Sequence, residues 1–404
     1  MTKITDIPAI RFKGFSDTWE QRKFSELVQI ERGGSPRPID DFITDAPNGL
    51  NWVKIGDAPT QGNYITKTAE KIRPEGLSKT REVHPGDLIL SNSMSFGKPY
   101  IMGIDGCIHD GWLLIRNTYG VFDLTFLCHL LGTPQMLSQY RSLAAGSTVN
   151  NLNKELVGNT YVTIPSITEQ RVLGAYLEQL DNLITLHQRK YDKLTNVKKS
   201  MLEKMFPQNG SNVHEIRFKG FTDAWEQRKL GEIGSVSMCR RIFKEQTSEN
   251  GEIPFYKIGT FGGEADAFIS RELFEEYKAK YQYPKKGDIL ISASGSIGRT
   301  VVFTGKNEYF QDSNIVWLNH DKHLDNSFLK CFYSIVKWAG IEGSTIKRLY
   351  NDNILNTAIT LPSVEEQQKI GAYFENLDNL ITLHQRELEK LKNLKKACLE
   401  KMFV

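Results

Sequence analysis

Two long stretches of the chain carry apolar residues at alternating spacings of three and four positions. The first contains Leu173, Leu177, Leu180, Ile184, Tyr191, Leu194, Met201 and Met205. The second contains Ile370, Phe374, Leu377, Ile381, Leu388, Leu391, Cys398 and Met402. A pattern that continues over about five heptads is typical of helices that pair in a coiled coil. An S-x-x-E capping box at Ser166 and another at Ser363 mark where the two helices begin.

The helical stretches belong to a duplication of the frame of the chain. The block RFKGFSDTWEQRKF from Arg11 returns as RFKGFTDAWEQRKL from Arg217. Residues 163–206 return as residues 360–403, with about two-thirds of the positions identical. The inserts between these blocks are barely alike. A constant frame with two different inserts presents two different surfaces in one fixed geometry.

Short apolar runs bounded by turn residues predict that both inserts are mixed α/β. In the first insert we predict strands at 52–55, 88–90, 112–115 and 161–164 and a helix at 124–131. In the second we predict strands at 255–258, 289–291, 300–303 and 315–318 and a helix at 328–338. The tripeptides KIG and GST and a GD pair before a strand occur in both inserts, which indicates a shared fold.

The chain is therefore predicted to be α+β and to consist of four parts. Two mixed α/β domains at 1–162 and 207–359, each with an RFKGF block, alternate with helices at 163–206 and 360–404. Each helix would be about 57 Å long. The second helix starts from the second insert, so it must run back along the first helix to pair with it. We expect an antiparallel coiled coil with pseudo-two-fold symmetry and the inserts at opposite ends.

The predicted seam has polar interruptions at equivalent positions, His187 and His384, and a drift at Lys198 and Lys395 that moves the stripe to Val197 and Leu394. Facing histidines could bind a metal or act as a pH switch. A polar residue in a coiled-coil seam more often fixes the register. We expect the two histidines to pair with each other or with solvent.

Composition places few limits on function. The 404 residues are 40% hydrophobic and 25% charged, which is ordinary for a soluble protein of two to three domains. No signal peptide and no uncharged apolar run of about 18 residues occurs, so we expect a cytoplasmic protein without membrane contact. The five scattered cysteines show no C-x-x-C pair, and we expect buried thiols rather than disulfides or zinc ligands.

Catalytic motifs are missing from the sequence. It contains no G-x-G, no G-K-[ST] and no G-x-S-x-G, and His214 with Glu215 is followed by Phe218 where a zincin motif needs a second histidine. We therefore predict no catalysis by this chain and no catalytic or metal-binding residues. The net charge of +3 also lacks the strongly basic balance of many phosphate-binding proteins.

Polar, glycine-rich loops at corresponding places in the two inserts are the candidate binding residues. In the first insert they are Arg32, Arg37, Lys54, Ser93, Lys98, Asn150 and Asn151. In the second they are Arg240, Arg241, Lys244, Lys257, Ser294, Ser296, Arg299, Lys347 and Arg348. These side chains reach base edges and phosphates, and glycine lets the backbone come close. A single loop of this kind is ordinary surface, but three matched loops on each of two variable domains favour a binding role.

The order of variable domain, helix, variable domain and helix resembles the specificity subunit of type I restriction-modification systems. The motifs that carry the resemblance are IPS-I-TEQ at 164–170, LPS-V-EEQ at 361–367, GGSP from Gly33 and GSIG from Gly295. The similarity extends over essentially the whole chain. It implies that the inserts are target recognition domains, each reading half of a split, asymmetric site in double-stranded DNA from the major groove, and that the helices set the spacer.

The same resemblance implies the partners and cofactors. Two modification subunits would bind S-adenosylmethionine and methylate adenine, and restriction subunits would use ATP and Mg to cleave foreign DNA. No cofactor is then expected in this chain. The outer faces of the helices and the RFKGF blocks would dock the modification subunits, and these would supply phosphate contacts that the modest charge of the chain does not.

Two alternatives remain open. The chain could be a two-headed coiled-coil scaffold for protein interactions that does not bind DNA, which a salt-titrated binding assay with the modification subunits present would test. It could also be a self-contained methylase or nuclease, which S-adenosylmethionine binding by the purified chain would support.

Overall fold

A computed structural model describes residues 7–92, 96–144, 151–207, 214–339 and 348–404. The chain forms two compact units. Unit 1 comprises Met1–Lys190 and His384–Val404, and unit 2 comprises Tyr191–Leu383.

Unit 1 contains a mixed α/β domain. Its strands are β1 (Glu20–Lys23), β2 (Gln29–Arg32), β3 (Leu50–Val53), β4 (Tyr64–Ile65), β5 (Glu70–Ile72), β6 (Arg81–Val83), β7 (Leu88–Ser91), β8 (Pro99–Met102), β9 (Gly106–Ile108), β10 (Trp112–Arg116) and β11 (Tyr161–Ile164). Its helices are α1 (Leu124–Leu131), α2 (Pro134–Ala144), α3 (Lys154–Gly158) and α4 (Ile167–Met205), the last of which continues into unit 2. The sheets have the orders β2-β10-β7-β8-β4, β5-β3-β9-β6 and β1-β11.

Unit 2 contains a second domain with a related sheet. Its strands are β12 (Glu226–Lys229), β13 (Gly234–Met238), β14 (Ile253–Tyr256), β15 (Phe268–Ile269), β16 (Ile289–Ser292), β17 (Thr300–Val302), β18 (Tyr309–Phe310), β19 (Ile315–His320) and β20 (Ala358–Leu361). Its helices are α5 (Leu230–Ile233), α6 (Arg271–Lys280), α7 (Asn326–Ile335), α8 (Asn351–Asn356) and α9 (Val364–Lys401), the last of which continues into unit 1. The sheets have the orders β13-β19-β16-β17, β15-β14-β18 and β12-β20.

The predicted α+β class with mixed inserts and two long helices is confirmed. Helix α1 has the predicted bounds, and each predicted strand overlaps an observed one. Several predicted ends are wrong; the strand predicted at 52–55, for example, ends at Val53. Strand β14 ends at Tyr256 because a turn follows, in which the Thr260 N–H donates to Lys257 O (3.0 Å). Helix α7 ends at Ile335 rather than at 338, because Val336 adopts an extended backbone with ψ of 138°.

The two long helices run antiparallel within each unit, as predicted. In unit 1, Asp181 of α4 pairs with Lys395 of α9, and six residues later along α4 His187 meets His384, which precedes Lys395. In unit 2, Lys198 of α4 pairs with Asp378, and the later Phe206 lies 6.4 Å from the earlier Phe374. In both units the position on α9 falls as the position on α4 rises.

The seam confirms the apolar pattern and corrects the predicted drift. Leu173, Leu177, Leu180, Ile370, Phe374 and Leu377 are buried. Of the two residues predicted to take over the stripe, Leu394 is 42% exposed, whereas Val197 is partly buried against the core of unit 2. Lys198 and Lys395 remain at the seam because each neutralises an aspartate of the facing helix within its own unit.

A repeated aromatic group anchors each RFKGF block to the core of its unit. In unit 1, Phe126 of α1 stacks on Phe403 at 5.5 Å, and Trp19 packs edge-on against both rings. In unit 2, Phe328 of α7 stacks on Phe206 at 5.2 Å, with Trp225 edge-on. The chain therefore has one core design used twice. As predicted, the segment before β1 lies at the end of α9.

The glutamates of the capping boxes join each helix to its RFKGF arginine. Ser166 Oγ accepts from Glu169 N–H (3.5 Å), as in an N-cap. The Glu169 carboxylate, only 1% exposed, accepts from Arg11 Nε and Nη2 at 2.6 and 2.7 Å. Glu366 and Arg217 repeat this bidentate pair at 2.7 Å for both bonds. The box sets the start of the helix, and its carboxylate also holds the incoming chain.

The next residue on each long helix holds the start of a shorter helix, α1 in unit 1 and α7 in unit 2. Buried Gln170 accepts from Asp123 N–H (3.0 Å) through Oε1, and Gln367 accepts from Asp325 N–H (2.8 Å). Asp123 and Asp325 in turn cap α1 and α7. A Cβ on Gly174 would lie 2.7 Å from Asp123 Oδ1, so glycine is needed for this close approach. In each unit, matched polar contacts therefore fix the mixed α/β domain to its long helix.

Candidate nucleic-acid interface

In unit 1, three separate segments meet at the end of β7. Asn92, the first residue after β7, donates its N–H to Gly111 O (3.0 Å) and accepts from Leu152 N–H (3.0 Å). The Asn92 side chain donates to Asp110 O (2.8 Å). The glycine-rich loop after β7, the turn before β10 and the segment that carries exposed Asn151 therefore lie together.

In unit 2, the same three segments meet at the end of β16. Ala293 N–H donates to Asn314 O (2.7 Å), and Ala293 O accepts from Leu349 N–H (2.8 Å). Ser294 Oγ donates to Asn314 Oδ1 (2.8 Å), and Ser294 forms a β-bridge with Arg348. Two candidate residues that are distant in sequence thus become neighbours.

The two junctions share a backbone frame and differ in side chains. The matching hydrogen bonds make Asn92 equivalent to Ala293, and Asn151 equivalent to Arg348. The Arg348 guanidinium, 3.3 Å from Ser313 O through Nη2, is half-buried, whereas Asn151 is exposed. The same position therefore presents a short amide in one unit and a long cation in the other.

A cleft of about 1060 Å³ lies beside the unit 1 junction and contains two further candidates. Exposed Arg37 borders it, and Lys54 forms an ion pair with Glu70 inside it. Arg32, at the end of β2, donates from Nε to Asp110 O (3.4 Å). Three cations therefore surround one turn, although Lys54 is already paired with a carboxylate.

Lys98 has a different environment. Its ammonium lies 4.9 Å from the centre of the Tyr100 ring, and its side chain is half-buried. A cation held against an aromatic face keeps its charge while part of its stem is covered.

In unit 2, the KIG segment and the SGSIGR loop lie side by side. Lys257 pairs with Asp266 at 2.9 Å, as Lys54 pairs with a carboxylate in unit 1. A Cβ on Gly262 would lie 3.1 Å from Arg299 Nη2, which places that exposed arginine over the loop after KIG. Ser296 is exposed on the turn. Together with Ser294 and Arg348, these residues form one loop cluster.

Arg240, Arg241 and Lys244 are exposed on a second surface of unit 2. The Arg240 guanidinium lies 5.2 Å from the centre of the Tyr281 ring, and Arg241 lies 5.9 Å from that of Phe243. Among the described residues, no side-chain hydrogen bond, ion pair or cation–π contact joins these three to the loop cluster.

Sequence reasoning missed the basic surface next to Arg240. Lys278, Lys280, Lys285 and Lys286 line an open cleft of about 780 Å³ together with Tyr281 and Tyr283. The Lys278 ammonium lies 5.3 Å from the centre of the Tyr283 ring, and burial raises the pKa of Tyr283 above its usual value. The run KAKYQYPKK was the available signal. This run contains no glycine, so it falls outside the glycine-rich loops that mark the other candidates.

Three predicted residues, Ser93, Asn150 and Lys347, lie outside the described residues.

The paired histidines meet within unit 1. His384 Nδ1 and His187 Nδ1 are 3.1 Å apart, so one ring donates and the other accepts. Burial, followed by the charges of His187 and Lys190, lowers the pKa of His384. Among the described ranges, no group of three histidine, cysteine or carboxylate side chains lies close enough to hold a metal ion. The expected pairing of the histidines is confirmed.

The five cysteines are buried free thiols, as expected. Burial raises the pKa of Cys239 to about 12 and that of Cys107 to about 11. Within the part of the chain that the structure describes, no helix is both long and apolar enough to cross a bilayer.

The known proteins that are similar to this chain have consistent names. A protein of Haemophilus influenzae that carries the name of a type I restriction enzyme specificity subunit is 60% identical over 158 residues, which is 38% of this chain and 41% of that relative. The type I restriction enzyme MjaVIII specificity subunit of Methanocaldococcus jannaschii is 22% identical over 94% of both chains.

The fold and the family agree with these relatives. The crystal structure of the type I restriction-modification S subunit from M. genitalium has a TM-score of 0.67 at 15% identity and covers 98% of this chain and 99% of that chain. The family described as type I restriction modification DNA specificity domain matches residues 16–196 and again 222–393. With both halves matched, this chain belongs to the type I restriction-modification DNA specificity family, as its duplicated motifs predicted.

Proposed function

We propose that this chain is the DNA-reading subunit of a type I restriction-modification complex and recognises a split, asymmetric sequence in double-stranded DNA. Each recognition domain would read one half-site. The observation that supports this most is the equivalence of the two junctions, which have the same backbone hydrogen bonds but different side chains at the equivalent positions of Asn151 and Arg348. A fixed frame with exchanged contact residues is what two different half-sites require.

The candidate residues divide by the contacts they suit. Asn151 and Arg348 occupy equivalent positions, and asparagine pairs well with adenine while arginine pairs well with guanine in the major groove. Lys278, Lys285 and Lys286 form a charged surface without base-specific geometry, which suits phosphates. Lys54 and Lys257 are each paired with a carboxylate, so a phosphate would have to displace that partner.

Each recognition domain should recognise its half-site independently of the other domain. We expect that exchanging residues 25–162 for the insert of another family member changes one half of the methylated site and leaves the other half and the spacer unchanged. Exchanging residues 231–359 is the matched control and should change the other half. Single-molecule mapping of methylated adenines, in cells with and without this gene, measures both. Changes in both halves after one exchange would contradict the proposal.

Catalysis is assigned to partner subunits. Two modification subunits would methylate adenine with S-adenosylmethionine, and restriction subunits would use ATP and Mg. The helices offer matching outward apolar residues for docking: Leu183 and Leu186 are 43% and 45% exposed, and Leu380 and Leu383 are 44% and 52% exposed. Pairs three positions apart share a helix face, so each pair forms a short apolar stripe.

The helices would act as the spacer ruler. Inserting four residues after Leu186 and four after Leu383, at equivalent positions of the repeat, adds about 6 Å to each helix. We expect the spacer between unchanged half-sites to lengthen by about one or two base pairs, since base pairs are stacked at roughly 3.4 Å. The same methylation mapping measures this, and altered half-sites with an unchanged spacer would contradict the ruler.

A protein-interaction scaffold is the second candidate, and the exposed leucines of the helices are the observation that favours it. The two functions differ in salt dependence. If the chain and its modification subunits bind DNA, the logarithm of the binding constant should fall linearly as the logarithm of the salt concentration rises. The reason is that binding releases condensed cations from the duplex. Absence of any salt-dependent DNA binding by that complex would favour the scaffold.

A further inference from the structure

Among the described residues of unit 2, no strand covers the outer edge of β17, whereas β4 covers the equivalent edge in unit 1. In unit 1, β4 pairs in parallel with β8, with Tyr64 opposite Ile101 and Ile65 opposite Met102. In the described residues of unit 2, the sheet ends at β17, the counterpart of β8. The segment that supplies β4 is shorter in unit 2, since 13 residues separate KIG from β5 in unit 1 and 8 residues separate KIG from β15, the counterpart of β5, in unit 2.

The edge of β8 is used by two backbone hydrogen bonds. Ile101 N–H donates to Asn63 O (2.7 Å), and Gly103 N–H donates to Ile65 O (2.8 Å). Alternate residues point to this edge, as expected for a strand paired on both sides.

The equivalent amides of unit 2 face outward. The strand pairings Leu88 with Ile101 and Ile289 with Val302 make Val302 the counterpart of Ile101. In the β16–β17 ladder, Phe303 N–H bonds to Asp288 O (2.9 Å), so the amides on either side, at Val302 and Thr304, point away from β16. The Val302 residue is 39% exposed.

In unit 1, β4 also contacts two carboxylates of α4. Asn63 Nδ2 donates to Asp181 Oδ2 (2.9 Å), and Tyr64 hydroxyl donates to Glu178 Oε1 (2.8 Å). The inserted strand is therefore held by its backbone on one side and by side-chain donors on the other.

The same two carboxylates recur in unit 2 and line an open cleft. The repeat makes Glu375 and Asp378 the counterparts of Glu178 and Asp181. Both border a cleft of about 310 Å³, together with residues of β17 and the apolar side chain of Leu202.

Among the described residues, the two carboxylates of this cleft differ in their counterions. Lys198 and Lys330 both form ion pairs with Asp378. Glu375 is exposed and makes no ion pair among the described residues. An occupant that brings a hydrogen-bond donor or a cation to Glu375 would complement the cleft.

We propose that this cleft, formed by the β17 edge and the α9 carboxylate Glu375, binds an extended segment of a partner polypeptide. The segment adds as a strand parallel to β17 and accepts from the amides of Val302 and Thr304. An aliphatic side chain enters the cleft, and a neighbouring tyrosine or basic residue donates to Glu375. Main-chain bonds provide the affinity and the side-chain contacts the specificity, as in other cases of strand addition.

The test uses the full chain and a synthetic peptide with the sequence of residues 60–67, TQGNYITK, which carries β4. Hydrogen exchange of the chain is measured alone, with the peptide and with a DNA duplex. We expect the amides of Val302 and Thr304 to exchange fast in the free chain and to become protected with the peptide. Slow exchange in the free chain, no protection at millimolar peptide, or protection by DNA instead of the peptide would each overturn the proposal.

Two proline variants supply a matched control. Val302→Pro removes an amide that the proposed strand uses and should weaken peptide binding at least tenfold by fluorescence anisotropy. Thr300→Pro should leave binding unchanged, because Pro99 occupies the equivalent position beside β4 in unit 1. Glu375→Gln should weaken the wild-type peptide more than a peptide with phenylalanine in place of its tyrosine. If both proline variants keep the near-ultraviolet circular dichroism of the unchanged chain, they are folded. Equal peptide binding by these two folded variants would overturn the assignment.

Discussion

Removing Arg11 should destabilise unit 1, because it leaves a buried carboxylate without its partner. Glu169 is 1% exposed, and both of its oxygens accept from the Arg11 guanidinium, at 2.6 and 2.7 Å. In Arg11→Ala the carboxylate stays at the start of α4 and loses both donors. The equivalent change in unit 2 is Arg217→Ala, which leaves Glu366 in the same situation.

The magnitude follows from the burial of the pair. Removing one partner of a buried ion pair typically destabilises by about 3–5 kcal/mol, because the remaining charge is uncompensated. The Arg11 side chain is 12% exposed, so water can enter after the change and we expect the lower value, about 3 kcal/mol. For a compact unit of about 200 residues this corresponds to a melting shift of roughly 6–12 °C. Arg217→Ala should be similar or slightly milder, since that side chain is 19% exposed.

The assay must resolve the two units, because a two-unit chain need not unfold in one step. Hydrogen exchange read by mass spectrometry reports the start of α4 and the start of α9 as separate peptides, and calorimetry gives the melting shift. Arg22→Ala is the control, because its ion pairs with Glu20 and Glu26 are exposed and should contribute little. The double variant Arg11→Met with Glu169→Leu should recover much of the loss. A loss below about 1 kcal/mol in both single variants would refute the reasoning.

Two further predictions concern packing and pH. Gly371→Ala should lower the free energy of unfolding by about 2 kcal/mol or more, since a Cβ there would lie 2.5 Å from Ser327 Cβ. Adding Ser327→Gly should recover part of this loss, as measured by urea titration of the full chain. Burial, then the Lys395 charge, lowers the pKa of His129 to about 4. The unfolded chain therefore binds the extra proton between about pH 6.5 and 4, and unit 1 should lose on the order of 3 kcal/mol as the pH falls through this window. His129→Leu should flatten that dependence of the melting temperature, and an unchanged slope would contradict it.

The duplication made much of the fold predictable. Helix starts, the antiparallel pairing and the position of the RFKGF blocks follow from local signals that occur twice, and two copies of a weak signal constrain each other. The partner of Glu169 could not be predicted in this way. Its S-x-x-E spacing correctly placed the helix start, but Arg11 is 158 positions away, and only the folded chain brings the two together.

The candidate interface could be predicted where the local composition is unusual. It could not be predicted where an element forms only because it pairs with another part of the chain. The glycine-rich loops marked the segments that meet at Asn92 and Ala293. Strand β4 has two residues, too few for an alternating pattern, and it exists because β8 and two carboxylates of α4 hold it. No local rule distinguishes that dipeptide from a loop.

Comparing the units separates the residues that hold the fold from those suited to reading DNA. Arg11 with Glu169 and Arg217 with Glu366 keep the same partners at nearly the same distances, so these positions serve the frame. The position held by Arg348 in unit 2 keeps only its backbone bonds in unit 1, and its side chain changes from cation to amide. A substitution at the first kind of position should change stability and leave the methylated sequence unaltered. One at the second kind should change the sequence at little cost in stability, because its side chain supports no core contact.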